Sequence, residues 1–227
     1  MADRETVVGG APSSRRRVGQ KLRKGDRRRN EILDAAEEQL RDRAALDLTI
    51  DGLAEAVGVS RSSLYFYFDS KWDVVDALVE RASAEMFEQY LALPATAPLE
   101  DFLAGALEAT YLGWKRHRVV FLAAAERSSH ADEATDRWRE IMERFIGFIA
   151  DRIEVEFALD PTVDPTPLGG ARRAVEIGCW MVERSFYMLF SREHDEAEER
   201  EMVAALTAAF ERLLHPDSVS RRPRPRT

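Results

Sequence analysis

The sequence predicts an all-α protein in which a small N-terminal three-helix domain precedes a larger helical domain. Apolar residues recur every three or four positions over most of the chain after residue 25, which is the period of amphipathic helices. Residues that cap or break helices separate these segments, and no convincing strand pattern is present. The composition, 45% hydrophobic and 33% charged, is sufficient for a sizeable core.

The first 30 residues are basic, whereas the rest of the chain is acidic. They hold ten basic and three acidic side chains, a local charge of +7, although the whole chain carries −8. The remaining residues therefore carry −15, an asymmetry that is expected when one end of a protein meets DNA. Residues 1–25 are rich in Arg, Gly and Ser and have no apolar periodicity. We expect a disordered basic arm there, with Arg15, Arg16 and Arg17 able to contact phosphates or the minor groove.

Three short helices are predicted next, over a domain that spans residues 26–72. Apolar residues at helical spacing predict the first helix over residues 26–43. Thr49 is a suitable N-cap for the second helix, and Gly58 is a suitable end for it. Ser60 is a suitable N-cap for the third helix.

The larger domain, predicted over residues 73–215, consists of six further helices. Ser70 with Asp73 three positions later has the pattern of a capping box, which opens a fourth helix that extends to about residue 93. Pro94 and Pro98 break the helical pattern after it. The remaining helices are predicted over residues 99–115, 118–127, 132–157, 168–190 and 195–214. A basic, Pro-containing tail over residues 216–227 completes the chain.

Several classes of protein are disfavoured by the composition. The single cysteine, Cys179, cannot form an intrachain disulfide, and the four histidines are far apart, so we expect no metal site and no cofactor. No apolar run approaches the ~20 residues that span a bilayer, and residues 1–20 lack the apolar stretch of a signal peptide. We therefore expect no membrane partner and a cytoplasmic location. No catalytic triad, paired acidic motif or phosphate loop indicates an enzyme.

Residues 49–71, TIDGLAEAVGVSRSSLYFYFDSK, have the pattern of a helix-turn-helix motif. In this motif the second helix presents its N-terminal residues to the major groove of DNA. Arg61, at the exposed start of that helix, suits the O6 and N7 acceptors of guanine, and Ser62 beside it can also contact base edges. The hydroxyl of Thr49 and the helix N-terminal amides beside it suit a phosphate. The motif therefore predicts a double-stranded DNA partner.

Over about residues 26–78 the chain resembles the TetR family, in which a helix-turn-helix runs directly into a Leu-Tyr-x-x-Phe segment followed by Lys. Those positions are Leu64, Tyr65, Phe68 and Lys71. The resemblance implies a homodimeric repressor that binds palindromic operator DNA. The motif and the resemblance together give the DNA-binding residues Thr49, Ser60, Arg61, Ser62, Ser63, Tyr65, Tyr67 and Lys71. We expect Leu64, Phe66 and Phe68 to build the small core instead.

The helix predicted over residues 168–190 has two apolar stripes. One stripe consists of Val175, Cys179, Val182, Phe186 and Leu189, and the other of Ile177, Trp180, Met181 and Met188. One stripe can pack within its own subunit and the other against a symmetry-related copy. The helix over residues 195–214 has a comparable face that includes Phe210. We therefore expect these two helices to form the dimer interface, and a charge at Met188 or Phe210 to disrupt it.

The segment Val182-Glu183-Arg184-Ser185-Phe186 and the aromatic pattern over residues 138–148 resemble the branch of the TetR family that includes mycobacterial ethionamide-resistance regulators. This resemblance implies a tunnel for a small hydrophobic effector. Its lining would be Phe102, Leu103, Leu107, Thr110, Trp114, Trp138, Met142, Phe145, Phe148, Cys179, Val182, Glu183 and Phe186. Cys179 and Val182 stand where that branch has amide side chains, so the tunnel should be more apolar.

Two questions stay open at the level of the sequence. The aromatic residues of the second domain could fill a solid core instead of lining a cavity, and Glu183 could either pair with an arginine or serve as an anionic anchor. Other function classes are a sequence-tolerant DNA-organising protein without a ligand and, less favoured, a helical enzyme. Preference for one palindrome over bulk DNA distinguishes a regulator from an organiser.

Overall fold

The computed structural model describes the backbone of residues 13–128, 132–159 and 170–214, and the side chains of residues 25–127, 134–156 and 170–214. Within these ranges the chain is helical with no strand, which confirms the predicted fold class. The helices are α1 Ser13–Gln39, α2 Ile50–Ala56, α3 Arg61–Tyr65, α4 Lys71–Leu91, α5 Leu99–Arg116, α6 Arg118–Ser128, α7 Asp132–Leu159, α8 Ala171–Phe190 and α9 Glu196–Leu214. No helix in the described part of the chain combines the length and apolarity of a membrane span.

Helix α1 differs from the prediction at both ends, because it begins at Ser13 and ends at Gln39. Upstream of residue 26 the sequence is rich in Arg and Lys, which are good helix formers, and Gly25 costs a helix interior only about 1 kcal/mol. The chain turns after Gln39, and this turn brings the apolar side chains of Ala45 and Leu48 into the core, where each is 1% exposed. A short 3-10 turn at Ala45–Asp47, which the sequence did not indicate, completes this connection.

The helices of the helix-turn-helix begin at the capping residues that the sequence predicted. The side chain of Thr49 accepts a hydrogen bond from the Gly52 amide at 3.0 Å, and that of Ser60 accepts one from the Ser63 amide at 3.2 Å. Ser70 and Asp73 form the expected capping box at the start of α4. Gly58 ends α2 with a φ of +67°, a left-handed conformation that favours glycine.

Gly58 should therefore resist replacement by a β-branched residue. A Cβ at this position would meet nothing within 4 Å, so any cost of substitution is conformational and not steric. We expect Gly58→Val to lower the free energy of unfolding by about 1–3 kcal/mol, measured by urea denaturation. Gly58→Asn is the matched control, since asparagine adopts the left-handed region more readily. Equal losses for the two variants would show that the backbone conformation of the turn is not the cause.

In the larger domain α5, α6 and α7 pack against α4, and α8 packs against α7 and α9. Phe121, Phe186 and Phe190 are among the fully buried side chains of this domain. Two glycines allow close helix approaches: a Cβ at Gly113 would lie 2.5 Å from the Met86 sulfur atom, and a Cβ at Gly178 would lie 2.4 Å from the Phe210 ring. The expectation that Phe210 lies on the dimer face is therefore wrong, because its ring packs inward against α8 and is 7% exposed.

Helix α4 connects the two domains. Its Arg81 guanidinium contacts Asp34 and Glu37 of α1 at 2.7 and 2.8 Å. Helix α6 adds a second connection, because the Glu126 carboxylate accepts a hydrogen bond from the Ala45 amide at 3.1 Å. Movement of α4 or α6 relative to the rest of the larger domain would therefore be passed to the N-terminal domain.

Candidate DNA-binding and ligand-binding sites

Arg61 lies on the exposed face of α3, as predicted, with 59% of its side chain accessible. Its guanidinium donates one hydrogen bond to the Asp51 carboxylate at 2.8 Å and another to the Tyr65 hydroxyl at 3.2 Å. Its central carbon lies 5.6 Å from the centre of the Tyr65 ring. These contacts link the start of α3 to the start of α2 and restrain the orientation of the guanidinium.

The hydroxyl residues around the turn are exposed but already engaged in local hydrogen bonds. The Ser60 hydroxyl lies 3.0 Å from that of Ser62 and 2.8 Å from that of Ser63. Ser60 and Thr49 also cap their helices, so a large part of their role is structural. Each cap uses the hydroxyl oxygen as an acceptor, so the hydroxyl hydrogen can still be donated to a phosphate oxygen.

Phe66 was predicted to lie in the small core, and this prediction is wrong. Leu64 and Phe68 are 0% and 4% exposed, as expected, but Phe66 is 82% exposed. Leu64 and Phe68 are four positions apart and share one face, which places the residue midway between them on the opposite side. Phe66 contacts the Tyr67 ring edge-to-face at 5.3 Å between centroids. It is therefore an exposed apolar side chain directly after α3.

The last predicted contact residues have structural partners. Tyr67 is half-buried. The ammonium group of Lys71 donates a hydrogen bond to the Leu46 carbonyl, and the same group lies 4.8 Å from the centre of the Trp72 ring. Lys71 thus joins the 3-10 turn to the start of α4, and a phosphate contact stays a prediction. The side chains of Arg15, Arg16 and Arg17, and the tail over residues 216–227, lie outside the described residues.

The larger domain encloses an apolar cavity of about 60 Å³. Ten of the thirteen predicted lining residues surround it: Leu103, Leu107, Thr110, Trp114, Trp138, Met142, Phe145, Cys179, Val182 and Glu183. The sequence missed the lining residues Met86, Tyr90, Ala106, Ile141, Ile149, Thr207 and Phe210. Met86 and Tyr90 could have been found from the apolar stripe of α4, since they lie four positions apart on one face. The aromatic residues therefore leave a cavity and do not form a solid core.

The other three predicted lining residues form the layer behind the cavity wall. Phe186 is fully buried and packs against Trp114 and Phe190, with ring centroids 6.5 and 6.1 Å away. Phe102 and Phe148 pack on each other with centroids 6.0 Å apart. These three phenylalanines lie on the same apolar helix faces as the lining residues. Which ring faces the cavity depends on how the neighbouring helices pack.

Few polar atoms face the cavity. The Thr110 hydroxyl donates to the Ala106 carbonyl at 2.9 Å and lies 2.5 Å from the Tyr90 hydroxyl. Burial raises the pKa of Tyr90 above its ordinary value and that of the Cys179 thiol to about 12. Both groups are therefore neutral at ordinary pH, and Cys179 behaves as a small apolar side chain.

Glu183 differs from the other lining residues because it is acidic and only 8% exposed. The nearest basic atom is Nε of Arg184, 4.0 Å from its carboxyl oxygen, which is beyond hydrogen-bonding distance. Burial raises the pKa of Glu183, and the charge of Arg184 lowers it by less. The sequence left two roles open for Glu183, an ion pair with an arginine or an anionic anchor for a ligand. The ion pair that the structure contains, with Arg184, is weak.

An exposed helix α3 within a helix-turn-helix, joined to a helical domain that contains an apolar cavity, is the arrangement of a helix-turn-helix transcriptional regulator. Residues 32–78 match the family described as bacterial regulatory proteins, tetR family, and residues 103–212 match the C-terminal domain of the transcriptional regulator EthR. The chain belongs to the TetR family, as its motif predicted. It is a regulator and not an enzyme, like the proteins of that family.

Individual relatives agree with this assignment. The HTH-type transcriptional regulator EthR of Mycobacterium tuberculosis is 30% identical over 185 residues, which cover 80% of this chain and 84% of the relative. The transcriptional repressor KstR2 of Rhodococcus jostii is 29% identical over 124 residues, or 50% of this chain and 61% of the relative. A TetR-family regulator from Streptomyces coelicolor has the same fold, with a TM-score of 0.68 at 18% identity, over 86% of this chain and 83% of that one.

Proposed function

We propose that this protein is a dimeric repressor that binds a palindromic operator through α3 and releases it when a small hydrophobic effector fills the cavity. The observation that carries the proposal is the course of α4. Its C-terminal half contributes Met86 and Tyr90 to the cavity, while Arg81 and Lys71 of the same helix contact the N-terminal domain. One rigid element thus touches both the effector site and the DNA-binding unit.

The mechanism follows from linkage between the two binding events. An effector changes operator affinity only if it binds more tightly to a conformation in which the two α3 helices are wrongly spaced for DNA. In a dimer these helices must contact half-sites on one face of DNA, about 34 Å apart or somewhat more. An effector that pushes Met86 or Tyr90 outward displaces α4 and, through Arg81, α1. The spacing of the two recognition helices then changes.

Selection of bound sites from random DNA, followed by a screen of hydrophobic compounds for operator release, tests this function. We expect one palindrome to be enriched and at least one compound to release it at a concentration that also raises the melting temperature. Binding that depends on salt but has no sequence preference would indicate a DNA-organising protein instead.

Arg61 is the residue on which base recognition should depend most. Arg61→Ala should cost about 1–3 kcal/mol of operator binding and relax specificity at one operator position. The measurement is a comparison of the selected site profiles and operator affinities of the two proteins. Arg200→Ala is the control, because Arg200 is also exposed but pairs only with Glu196 on α9, at 2.8 Å. Identical site profiles for wild type and Arg61→Ala would remove Arg61 from base recognition.

A further inference from the structure

In the described part of the chain, no donor of the protein lies within hydrogen-bonding distance of the Glu183 carboxyl group, since the nearest basic atom, Nε of Arg184, is 4.0 Å away. Among the described residues, Glu183 is the only acidic side chain that lines the cavity, and no basic side chain lines it. The two lining threonines, Thr110 and Thr207, each donate to a carbonyl of their own helix at 2.9 Å. A carboxylate held beside apolar walls without a donor is costly. The carboxyl oxygens therefore offer acceptor positions that water or a bound ligand can fill.

Arg184 does not satisfy this acceptor. Its guanidinium lies 4.9 Å from the centre of the Tyr187 ring, and 65% of its side chain is exposed. Water therefore solvates most of its charge and weakens its attraction for Glu183. Arg184 reduces the cost of a charge at Glu183 without occupying the hydrogen-bonding positions of the carboxyl group.

Aromatic rings supply the second part of a cation site. Trp114, Trp138 and Phe145 line the same cavity from α5 and α7. The faces of such rings attract a cation, most strongly in a site from which water is excluded. A buried carboxylate and aromatic walls together favour a positively charged group that carries an apolar body, and they disfavour an anion.

We infer that the effector is a hydrophobic amine whose ammonium group pairs with Glu183. This inference rests on the proposed function, since it assumes that the cavity is the effector site. The cavity volume of about 60 Å³ is smaller than the ~150 Å³ that accommodates benzene, so an amine with one ring must push lining side chains outward as it enters.

The protonation state of Glu183 gives this inference a distinct signature. Burial raises the pKa of this carboxyl group, so its protonated form persists to higher pH than that of an exposed carboxyl group. When an ammonium ion binds, the carboxyl group loses its proton to the solvent and the ion pair forms. Amine binding should therefore release protons, in proportion to the protonated fraction, and should tighten as pH rises towards the pKa of the free amine.

The test compares three compounds that share a phenyl ring and differ in their polar group: 2-phenylethylamine, 2-phenylethanol and 3-phenylpropionate. Dissociation constants are measured by calorimetry on the full chain, in two buffers of different ionisation enthalpy. We expect the amine to bind about tenfold or more tightly than the alcohol, and the acid to bind most weakly. The difference in heat between the buffers counts the released protons.

Glu183→Gln keeps the shape of the side chain and removes its charge, so it should abolish the preference for the amine while the alcohol still binds. Glu183→Met serves as a second variant in case the amide disturbs folding. Glu176→Gln is the matched control, because Glu176 lies on the same helix outside the cavity and pairs with Arg173 at 3.1 Å, and it should keep the amine preference.

Two sets of outcomes separate this inference from the proposed function. If the alcohol binds as tightly as the amine, or if Glu183→Gln keeps the amine preference, the inference is overturned. If the alcohol nevertheless releases operator DNA, the proposed function stands without it. If none of the three compounds binds and none releases DNA, both the amine inference and the use of this cavity as effector site are contradicted.

Discussion

Replacement of Met188 by glutamate should convert the proposed dimer to monomers and weaken operator binding by about 10²- to 10⁴-fold. Met188 and Ile177 lie on the outward stripe of α8 and are 57% and 41% exposed, although both are apolar. Trp180 and Met181 between them are half-buried, so the stripe continues along the helix. A charge placed in an apolar interface must be desolvated without a partner, which opposes association. Each monomer would then bind only one half-site. The added affinity that a dimer gains by binding both half-sites at once would be lost.

Sedimentation velocity and operator titration measure the two parts of this prediction. Leu91→Glu is the matched control, because Leu91 is also apolar, is 55% exposed and lies at the end of α4 instead of on α8. This control should remain a dimer with unchanged operator affinity. A dimer that survives Met188→Glu would mean that the second stripe of α8 is not the interface. Phe210 is unsuitable for this test, since a charge beside the cavity would disturb folding first.

Features of the chain that depend on local sequence could be predicted without a structure. Thr49 and Ser60 each cap a helix through a hydrogen bond to an amide three residues later, and Gly58 supplies a left-handed backbone where α2 must end. These contacts involve neighbours within a few positions, so residue type and spacing determine them. The arrangement of the helix-turn-helix therefore followed from the sequence.

Features that depend on distant neighbours could not be predicted in the same way. The sequence predicts Phe66 in the small core, yet its side chain is 82% exposed and its ring contacts the adjacent Tyr67. The lining residues Met86 and Thr207 come from helices that are remote in sequence from α7 and α8. Phe186 and Cys179 share one stripe of α8, but only Cys179 faces the cavity. Tertiary packing decides such cases, and periodicity identifies only the face.

Filling the cavity by mutation should reproduce the effect of the effector. Cys179→Trp would place an indole where a cavity of about 60 Å³ lies against Met86 and Tyr90 of α4. Because close-packed interiors accommodate added volume by shifting whole elements, we expect α4 to move outward. Operator binding should weaken by roughly 5- to 150-fold, the range that a coupling of about 1–3 kcal/mol gives. The variant should also lose its response to added hydrophobic compounds, since their site is occupied.

Fluorescence anisotropy with labelled operator, together with thermal denaturation, measures both effects of Cys179→Trp. Cys179→Val is the matched control, because valine is also small and apolar and leaves most of the cavity open, so operator affinity should stay near that of the wild type. Overpacking itself costs about 1–3 kcal/mol, which lowers the melting temperature without affecting DNA contacts directly. The decisive case is a folded Cys179→Trp protein that no longer binds hydrophobic compounds. If such a protein keeps wild-type operator affinity, occupancy of the cavity does not control the spacing of the α3 helices, and the proposed switch is wrong.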